Sequence, residues 1–488
     1  MPLNQPRSPE STVQSIMLLD DSPAQPVHTT SANGLPLRLN AFERYMWADD
    51  QAAHPMSFFV HVTYSGRLDE AAWHRALDQA LCRHPLLRAR VAGNRDRDLT
   101  WVTSPDPRPA VDCADAAEPM RFADSYRIDL RKENGLRIWI RWSDERGVIR
   151  FQFHHSCCDG IAANQFIDDI LRAYARTVSG QEGDPVPFSA VDFTRLPRRN
   201  RFGANWWDWL GRRIVDLWGM ALGPAIFLLT RPASLRSSDV VDEQDQQSAL
   251  VPDLVTWRFT HDQLTTLLTK ARTSRVTLND LLLRDIFLSV HAWNGEHGPQ
   301  PNRDLIRIMV PFNLRGPEHR NLPAVNIVGM ANLDRRFHWP WYKSAQRLLR
   351  GIQLETWFLK SFRIVTCFPG ILWVLGSLPG GLHRHLKPDR CLATCVVSNL
   401  GRIFVDTPLA QRDGKVLAGG LSVEAIDTAP PVRDGSGAAM TFCTYAGQLS
   451  VSMNYDPTRF CRATAERLLQ QIVARIAQSA EPESSVSP

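Results

Sequence analysis

Seven consecutive residues, His154-His155-Ser156-Cys157-Cys158-Asp159-Gly160, combine side chains suited to acid–base chemistry. They follow an apolar, strand-like run, and successive side chains of a strand point to opposite faces. His155 therefore continues the face that carries Ile149, Phe151 and Phe153. Burial against that face lowers the pKa of an imidazole below its ordinary value of about 6.5, because burial disfavours the charged form. The pattern predicts a neutral histidine available as a general base.

The other residues of this motif have the chemistry needed to hold His155 in place. Asp159 directly precedes an apolar helical stripe, so its carboxylate could cap that helix or hold a buried arginine. Gly160 permits a close backbone approach or an unusual dihedral where the turn tightens. His154 lies on the opposite face of the strand and supports the motif. A histidine at a strand end more often has only a structural role, so the whole pattern carries the catalytic interpretation.

The elements that must position the motif alternate between strand and helix. Residues 137–142 and 148–154 predict a hairpin, and residues 58–64 predict another strand. Residues 68–84 carry an apolar helical stripe that Pro85 ends. The second half repeats this alternation, with strands predicted at 255–260, 305–310 and 449–455, and a helix at 278–293 that Thr277 and Asp280 introduce in capping-box spacing.

Composition narrows the class of protein. The 488 residues exceed one small domain, and 44% hydrophobic with 22% charged residues exclude global disorder. Lys and Arg (56) exceed Asp and Glu (51) by only five, which does not predict nucleic-acid binding. Nine cysteines without an evident secretory signal predict a reduced, cytoplasmic setting. No uninterrupted apolar run reaches the length that predicts a membrane-spanning helix.

Shifts in composition also divide the chain. Polar, Pro- and Ser-rich ends bury too little apolar surface to offset the entropy of ordering. The predicted division is a flexible tail at 1–33, an α/β lobe at 34–185, a basic, Trp-rich and apolar crossover linker at 186–250, a second α/β lobe at 251–477 and a flexible tail at 478–488.

The motif at residues 154–160 resembles the His-His-x-x-x-Asp-Gly signature of the CoA-dependent acyltransferase superfamily. That superfamily includes chloramphenicol acetyltransferase-like enzymes, condensation domains of nonribosomal peptide synthesis and the wax ester synthase/diacylglycerol acyltransferases. The resemblance extends over about residues 35–477. Its supporting segments are His54-Pro55-Met56, Leu68-Asp69, His84-Pro85-Leu86-Leu87-Arg88, Thr277-Leu278-Asn279-Asp280, Val310-Pro311-Phe312-Asn313-Leu314-Arg315 and Ser398-Asn399-Leu400-Gly401.

The resemblance implies two chloramphenicol-acetyltransferase-like α/β lobes with an active-site tunnel at their interface. His155 is then the base that deprotonates the acceptor, which attacks the thioester directly. Asp159 is implied to be structural and to pair with an arginine, for which Arg315 is the candidate, while Arg38, Arg44 and Arg88 are also available. Ser398 or Asn399 is implied to bind substrate or the oxyanion. Without the resemblance, Ser398 and Asn399 could equally be polar groups that satisfy a turn.

From the resemblance we expect an O-acyltransferase that moves an acyl group from CoA to a lipophilic alcohol or a diacylglycerol. No bound cofactor is expected, and acyl-CoA, or an acyl-pantetheinyl carrier, is the co-substrate. A first alternative is a condensation enzyme of secondary metabolism that uses a carrier-protein-bound acyl group. A second is an inactive lipid-binding or membrane-surface protein. The sequence shows no Asp-Phe-Gly-Trp-like segment, and we expect no adjacent carrier domain. Ser398-Asn399-Leu400-Gly401 is similar to the alcohol acyltransferase branch.

Three further segments have two interpretations each. Cys157 and Cys158 lie too close to the two histidines in the sequence for all four side chains to converge on one metal ion, so no metal site is predicted. Buried thiols are the favoured interpretation for Cys157 and Cys158, and also for Cys391 and Cys395.

Residues 195–230 are basic, Trp-rich and apolar, which is typical of a membrane-surface segment or of a crossover packed between lobes. Residues 364–382 could line an acyl channel or fill a core.

Overall fold

The computed structural model describes residues 34–120, 126–179, 186–202, 229–237, 254–298, 305–339, 342, 344–386 and 390–480. The predicted tail at 1–33 and the segment at 203–228, which holds most of the Trp-rich and apolar run, lie outside these residues. The last helix continues to Ala480, so residues 478–480 of the predicted C-terminal tail are helical.

Strands and helices alternate over both halves of the chain, as the sequence predicts. The strands are β1 (Leu37–Arg38), β2 (Ser57–Ser65), β3 (Ala89–Ala92), β4 (Thr100–Thr103), β5 (Ala110–Asp115), β6 (Leu136–Trp142), β7 (Arg146–His154), β8 (Val255–Phe259), β9 (Leu305–Asn313), β10 (Val328–Arg336), β11 (Cys395–Arg402), β12 (Gln411–Arg412), β13 (Lys415–Ala418), β14 (Leu421–Ala429), β15 (Ala438–Tyr445) and β16 (Gln448–Tyr455).

The α-helices carry the caps that their sequences predict in several places, and Thr277 with Asp280 forms the predicted capping box. The helices are α1 (Ala41–Ala48), α2 (Glu70–Arg83), α3 (Gly160–Ser179), α4 (His261–Thr273), α5 (Leu278–Glu296), α6 (Ala345–Ser361), α7 (Phe368–Ser377), α8 (Gly381–His385) and α9 (Arg462–Ala480), with short 3-10 turns at Pro85–Arg88, Phe193–Arg198, Pro317–His319 and Ile364–Cys367.

Two large sheets define the two lobes. Among the described residues, the first lobe holds a seven-stranded sheet in the order β12-β13-β14-β2-β7-β6-β5, and the second a six-stranded sheet in the order β10-β9-β11-β15-β16-β8. A small β1-β4-β3 sheet accompanies the first lobe. Helices α2 and α3 pack on the first sheet through Trp73, Phe151 and Phe166, and helices α5, α6 and α9 pack on the second. The predicted hairpin is the antiparallel pair β6–β7.

Two pieces of the second half of the chain belong to the first lobe, so the predicted boundary at residue 251 does not separate the lobes cleanly. β14 pairs with β2 over Phe59 to Ser65 and completes the first sheet. This pairing covers an edge that would otherwise expose unpaired backbone groups. In addition, Leu322, Ala324, Val325 and Ile327 join the core of the first lobe. We call residues 322–327 the docking segment, because it fixes the second lobe against the first.

Residues 364–382 could line an acyl channel or fill a core, and the structure shows part of each: Leu372 and Leu375 are buried, whereas Val365 and Thr366 line a cavity. This segment forms a 3-10 turn followed by α7 and the start of α8. Leu372 and Leu375 are buried against α1 in a cluster that includes Tyr45 and Met46. Among the described residues, no single helix is long and apolar enough to cross a membrane; Ala345–Ser361 and Ile364–Ser377 meet that criterion only as a pair bent by 62°.

Candidate active site

His155 lies one residue beyond the end of β7, where the first sheet meets the second lobe. β7 pairs with β2 so that Phe153 lies opposite Phe58 and His154 opposite Ser57. The backbone N–H of His155 then donates to the carbonyl of Met56 at 2.8 Å and extends the pairing by one residue. Phe58 and Phe42 flank the imidazole, with ring centroids 5.1 and 5.7 Å away. The alternating strand pattern therefore places this ring on the apolar face, as expected.

The environment of His155 favours the neutral imidazole. Burial lowers the pKa of His155, and the nearby charge of Asp159 offsets only part of that effect. Nδ1 is enclosed by protein, while the side chain as a whole is half-buried and lines a cavity between the lobes. A neutral imidazole that reaches a cavity has the protonation state that a general base requires.

His154 has a different environment, although it is the adjacent residue. Its side chain is fully buried on the opposite face of β7. Its Nδ1 accepts a hydrogen bond from the backbone N–H of Ser156 at 3.1 Å, and its Nε2 lies 3.5 Å from the carboxylate of Asp50. The same carboxylate accepts the N–H of Met56 at 2.8 Å. His154 therefore holds the turn, whereas His155 faces the cavity.

Asp159 joins α3 to the second lobe. Its carboxylate accepts the backbone N–H of Ala162, at 2.9 Å, as a cap of α3, and that of Ile327 at 2.8 Å. Arg315 donates two hydrogen bonds to the same carboxylate, each at 2.9 Å. Burial would raise the pKa of Asp159, but the Arg315 guanidinium and the two N–H groups outweigh burial and lower it. Both roles considered for this aspartate, helix cap and arginine partner, therefore occur together.

Gly160 lies where the second lobe approaches the motif closely. A Cβ atom at this position would lie 3.0 Å from Cδ2 of Leu400. Contacts this short require the neighbouring side chain to move. Of the two reasons considered for this glycine, the structure shows the close approach.

Asn326 of the docking segment is a site residue that sequence reasoning missed. Its side-chain amide donates to the carbonyls of His155 and Ser156 at 2.8 and 2.9 Å. These two carbonyls belong to the turn after β7, so Asn326 fixes the backbone that carries the imidazole. The polar residue between apolar Val325 and Ile327 was the available signal, but its partner lies 170 residues away in the sequence.

Ser398 and Asn399 lie on β11 and line the same cavity as His155. The side-chain amide of Asn399 donates to Oδ1 of Asn279 at 3.2 Å, and its Oδ1 accepts the N–H of Gly401 at 2.8 Å. These bonds stabilise a bulge in the pairing of β11 with β15. Asn399 thus has the turn-stabilising bonds considered for it, while both residues face the region where a substrate would meet His155.

The cavity has a volume of about 130 Å³ and mainly apolar walls. The ion pair between Arg433 and Asp49, with nitrogen–oxygen distances of 2.8 and 2.9 Å, lines part of the cavity. The cavity adjoins a second one, because Pro311, Asn313, Arg315 and Asn399 line both. The walls come from both lobes and include Tyr45, Met46, Met56, Met309, Met330 and Val396.

Cys157 and Cys158 are buried, and burial raises the pKa of each thiol well above its ordinary value. A protonated, enclosed thiol is neither a good nucleophile nor a good metal ligand. Elsewhere in the described residues, potential ligand atoms come together in two groups, Glu70 with His74 and Cys113, and His54 with Asp434 and Asp456. Neither group includes a residue of the 154–160 motif.

The sequence has relatives of two kinds. An uncharacterized protein of Mycobacterium tuberculosis is 25% identical over 397 residues, which cover 76% of this chain and 84% of that protein. A linear gramicidin synthase of Brevibacillus parabrevis is 25% identical over 237 residues, which cover 44% of this chain and 3% of the synthase. No protein-family model matches the sequence.

Solved structures decide the fold. The first condensation domain of the CDA synthetase matches with a TM-score of 0.66 and 14% identity over 91% of this chain and 96% of that domain. The chain has a condensation-domain fold. The epimerization domain from the third module of tyrocidine synthetase B matches with a TM-score of 0.60 and 14% identity, covering 91% of this chain and 96% of that one. The predicted fold class, an α/β fold of two lobes, is confirmed.

The names of these proteins bear on the functions considered. The Brevibacillus parabrevis relative is named a linear gramicidin synthase, and the two matching structures are named a condensation domain and an epimerization domain. They do not support the expectation of an acyl-CoA-dependent enzyme acting on a lipophilic alcohol or a diacylglycerol, nor the expected resemblance to wax ester synthases. They fit the first alternative, a condensation enzyme, better.

Proposed function

We propose that this chain is a condensation enzyme that transfers an acyl group from a carrier-bound pantetheine thioester to an amine or hydroxyl acceptor. The observation that carries the proposal is the neutral, half-buried imidazole of His155 in a cavity that both lobes line. The names of the synthase relative and of the condensation-domain neighbours support a carrier protein as the donor's partner. The cavity's position between the lobes supports the meeting of two substrates at His155.

In the proposed reaction, the acceptor's nitrogen or oxygen attacks the thioester carbonyl carbon while Nε2 of His155 takes the acceptor's proton. The carbon–sulfur bond of the tetrahedral intermediate then breaks. The released thiolate takes the proton back from His155, which regenerates the neutral base. No acyl group is attached to the enzyme, in agreement with the buried, protonated state of Cys157 and Cys158.

The other residues of the site either position His155 or contact the substrate. Asp159, Arg315 and Asn326 fix the turn that carries His155. Ser398 is the candidate on β11 for contact with the developing oxyanion, because its neighbour Asn399 already uses both side-chain polar atoms. A positioned general base contributes about 10² to 10⁴ in rate, and proximity of the two bound substrates must supply most of the remainder.

The test compares two acyl donors, and it compares the wild type with a variant that lacks the imidazole of His155. The purified chain is incubated with one acyl group presented either on a pantetheinylated carrier protein or on CoA, together with amine and alcohol acceptors, and products are identified by mass spectrometry. We expect product from the carrier-bound donor and a loss of about 10² to 10⁴ in rate for His155→Ala. His74→Ala, which changes an exposed histidine, is the matched control and should act like the wild type.

Two results would decide against parts of this proposal. Preference for acyl-CoA over the carrier-bound donor would return the function to a CoA-dependent acyltransferase. Equal rates for His155→Ala and the wild type would remove His155 as the base. Failure of every donor and acceptor with the folded wild-type protein would favour the second alternative, an inactive lipid-binding or membrane-surface protein.

A further inference from the structure

Helix α6 and the residue after it expose an unusual number of large apolar side chains. Leu354, Trp357, Phe358 and Phe362 are 65, 59, 48 and 52% exposed. Leu354, Trp357 and Phe358 have the three- and four-residue spacing that places side chains on one side of a helix. Phe362 contacts the rings of Trp357 and Phe358, with centroids 6.2 and 4.7 Å apart. We call these four residues the α6 stripe.

The opposite face of α6 is firmly attached to the second lobe. Leu348, Leu349 and Ile352 are buried, and the hydroxyl of Thr356 donates to Asp280 at 2.8 Å. Glu355 forms an ion pair with Arg335 at 2.8 Å. The helix therefore cannot rotate the α6 stripe into the core without breaking these contacts. A helix held along one face in this way can lie on a bilayer but is not free to cross it.

Positive charge surrounds the α6 stripe. Arg350 precedes Leu354 by one helical turn on the same side, and Lys360 and Arg363 follow at the other end. Residues 344–386 contain five Lys or Arg and one acidic residue, Glu355. That acid is already paired with Arg335, so it does not neutralise the exposed face. The surface combines protruding aromatic groups with flanking cations.

Two of the cations that flank the α6 stripe also lie at the second cavity. Lys360 and Arg363 line the second cavity, which shares Arg315 and Asn399 with the cavity of His155. Whatever covers the stripe is therefore next to one mouth of the candidate active site.

We propose that the α6 stripe is a peripheral binding surface for anionic lipid bilayers. A protein–protein interface typically surrounds its apolar centre with a polar rim that forms hydrogen bonds to the partner. A bilayer instead offers apolar depth for aromatic side chains and anionic headgroups for flanking Lys and Arg. The α6 stripe, with three exposed aromatic side chains and cations at both ends, fits the bilayer better. Bound in this way, the protein holds the second cavity's mouth at the membrane surface.

The first test measures flotation of the full chain with phosphatidylcholine vesicles, with and without phosphatidylglycerol. We expect binding to the anionic vesicles that weakens as salt is added. Trp357→Ala with Phe358→Ala should weaken binding at least about tenfold, because each aromatic group contributes its transfer from water. Trp257→Ala, which removes an exposed tryptophan from β8, is the matched control and should leave binding unchanged.

A second pair of substitutions tests the cations without touching the apolar side chains. Arg350→Gln and Lys360→Gln should each weaken binding to the anionic vesicles about fivefold. Arg412→Gln, on the exposed strand β12, is their control. Absence of wild-type binding to anionic vesicles, or wild-type binding by the Trp357 and Phe358 variant, would overturn the proposal. So would self-association of the chain that these two substitutions abolish, because the stripe would then be a protein interface. These measurements use no acyl transfer, so their failure is distinct from failure of the proposed function.

Discussion

His84 and His155 both belong to the first lobe, and both meet the docking segment of the second. Burial lowers the pKa of each imidazole. The ring of His84 is fully buried, with Nδ1 accepting the N–H of Ala324 at 2.8 Å and Nε2 lying 3.1 Å from Asp169. Asn326 of the docking segment donates to the carbonyl of His155, and the imidazole itself lines the cavity. A buried imidazole with a lowered pKa is therefore not sufficient to identify a candidate base. The imidazole must also reach the cavity.

The largest expected effect on the surroundings of His155 comes from substitution of Asp159, which joins the turn after β7 to the second lobe. Asp159→Ala leaves the largely buried Arg315 without its carboxylate and removes the acceptor for the N–H of Ile327. Removal of one partner from such a pair costs about 3–5 kcal/mol in the free energy of unfolding. Urea unfolding measures this loss. The control is Arg195→Ala, which breaks the exposed pair with Asp192 and should cost at most about 1 kcal/mol. Equal losses for both variants would show that Asp159 does not join the lobes.

His84→Leu tests the role of the buried histidine that does not reach the cavity. The substitution leaves the buried N–H of Ala324 without its acceptor, which costs about 1–3 kcal/mol in the free energy of unfolding. Because His84 does not reach the cavity, the rate of acyl transfer per folded molecule should stay near that of the wild type. A rate loss comparable to that of His155→Ala, at equal folded protein, would contradict the distinction between the two histidines.

The pH dependence of stability sharpens the same comparison. The folded-state pKa of His84 is lower than the unfolded value of about 6.5. The unfolded chain therefore binds more protons below about pH 6.5, so His84 reduces the free energy of unfolding as the pH falls. His84→Leu removes this contribution. Its stability should decline less steeply than that of the wild type just below about pH 6.5, as measured by urea unfolding at each pH.

Gly160→Ala should have the smallest effect of these changes. The added methyl group meets Cδ2 of Leu400 at 3.0 Å, and this flexible side chain can shift. We expect a cost of at most about 1 kcal/mol in the free energy of unfolding. Leu400→Ala in the same chain should remove that cost, so a double-mutant cycle measures the contact. Additive effects of the two substitutions would show that the lobes do not press together here.

Local patterns predicted the parts of the molecule that depend on neighbouring residues. Alternation along residues 148–154 gave the strand and the face of His155, and Thr277 with Asp280 gave the start of α5. The resemblance, rather than any local pattern, pointed to Arg315 as the partner of Asp159. Neither source pointed to Asn326, because a side chain that binds backbone carbonyls of another lobe leaves no periodic signal in its own segment.

The sequence also did not predict that a strand of the second half of the chain would complete the first sheet. The sequence of residues 421–429 does not predict which strand pairs with them, since the pattern of side chains along a strand indicates its buried face and not the strand next to it. Their pairing with β2 depends on the edge that β2 leaves open in the folded first lobe. In the same way, the exposure of the α6 stripe depends on which face of α6 the second lobe buries.

The pH dependence of kcat/KM for transfer from the carrier-bound donor to an alcohol acceptor, which does not itself titrate in this range, tests most directly whether a neutral His155 accepts the acceptor's proton. Since burial lowers the pKa of His155, the rate should hold as the pH falls through about 6.5 and decline only below it. His155→Ala should lack this acid limb and be slower at every pH. A wild-type decline centred at or above about pH 6.5, or the same profile and rate in His155→Ala, would contradict the account.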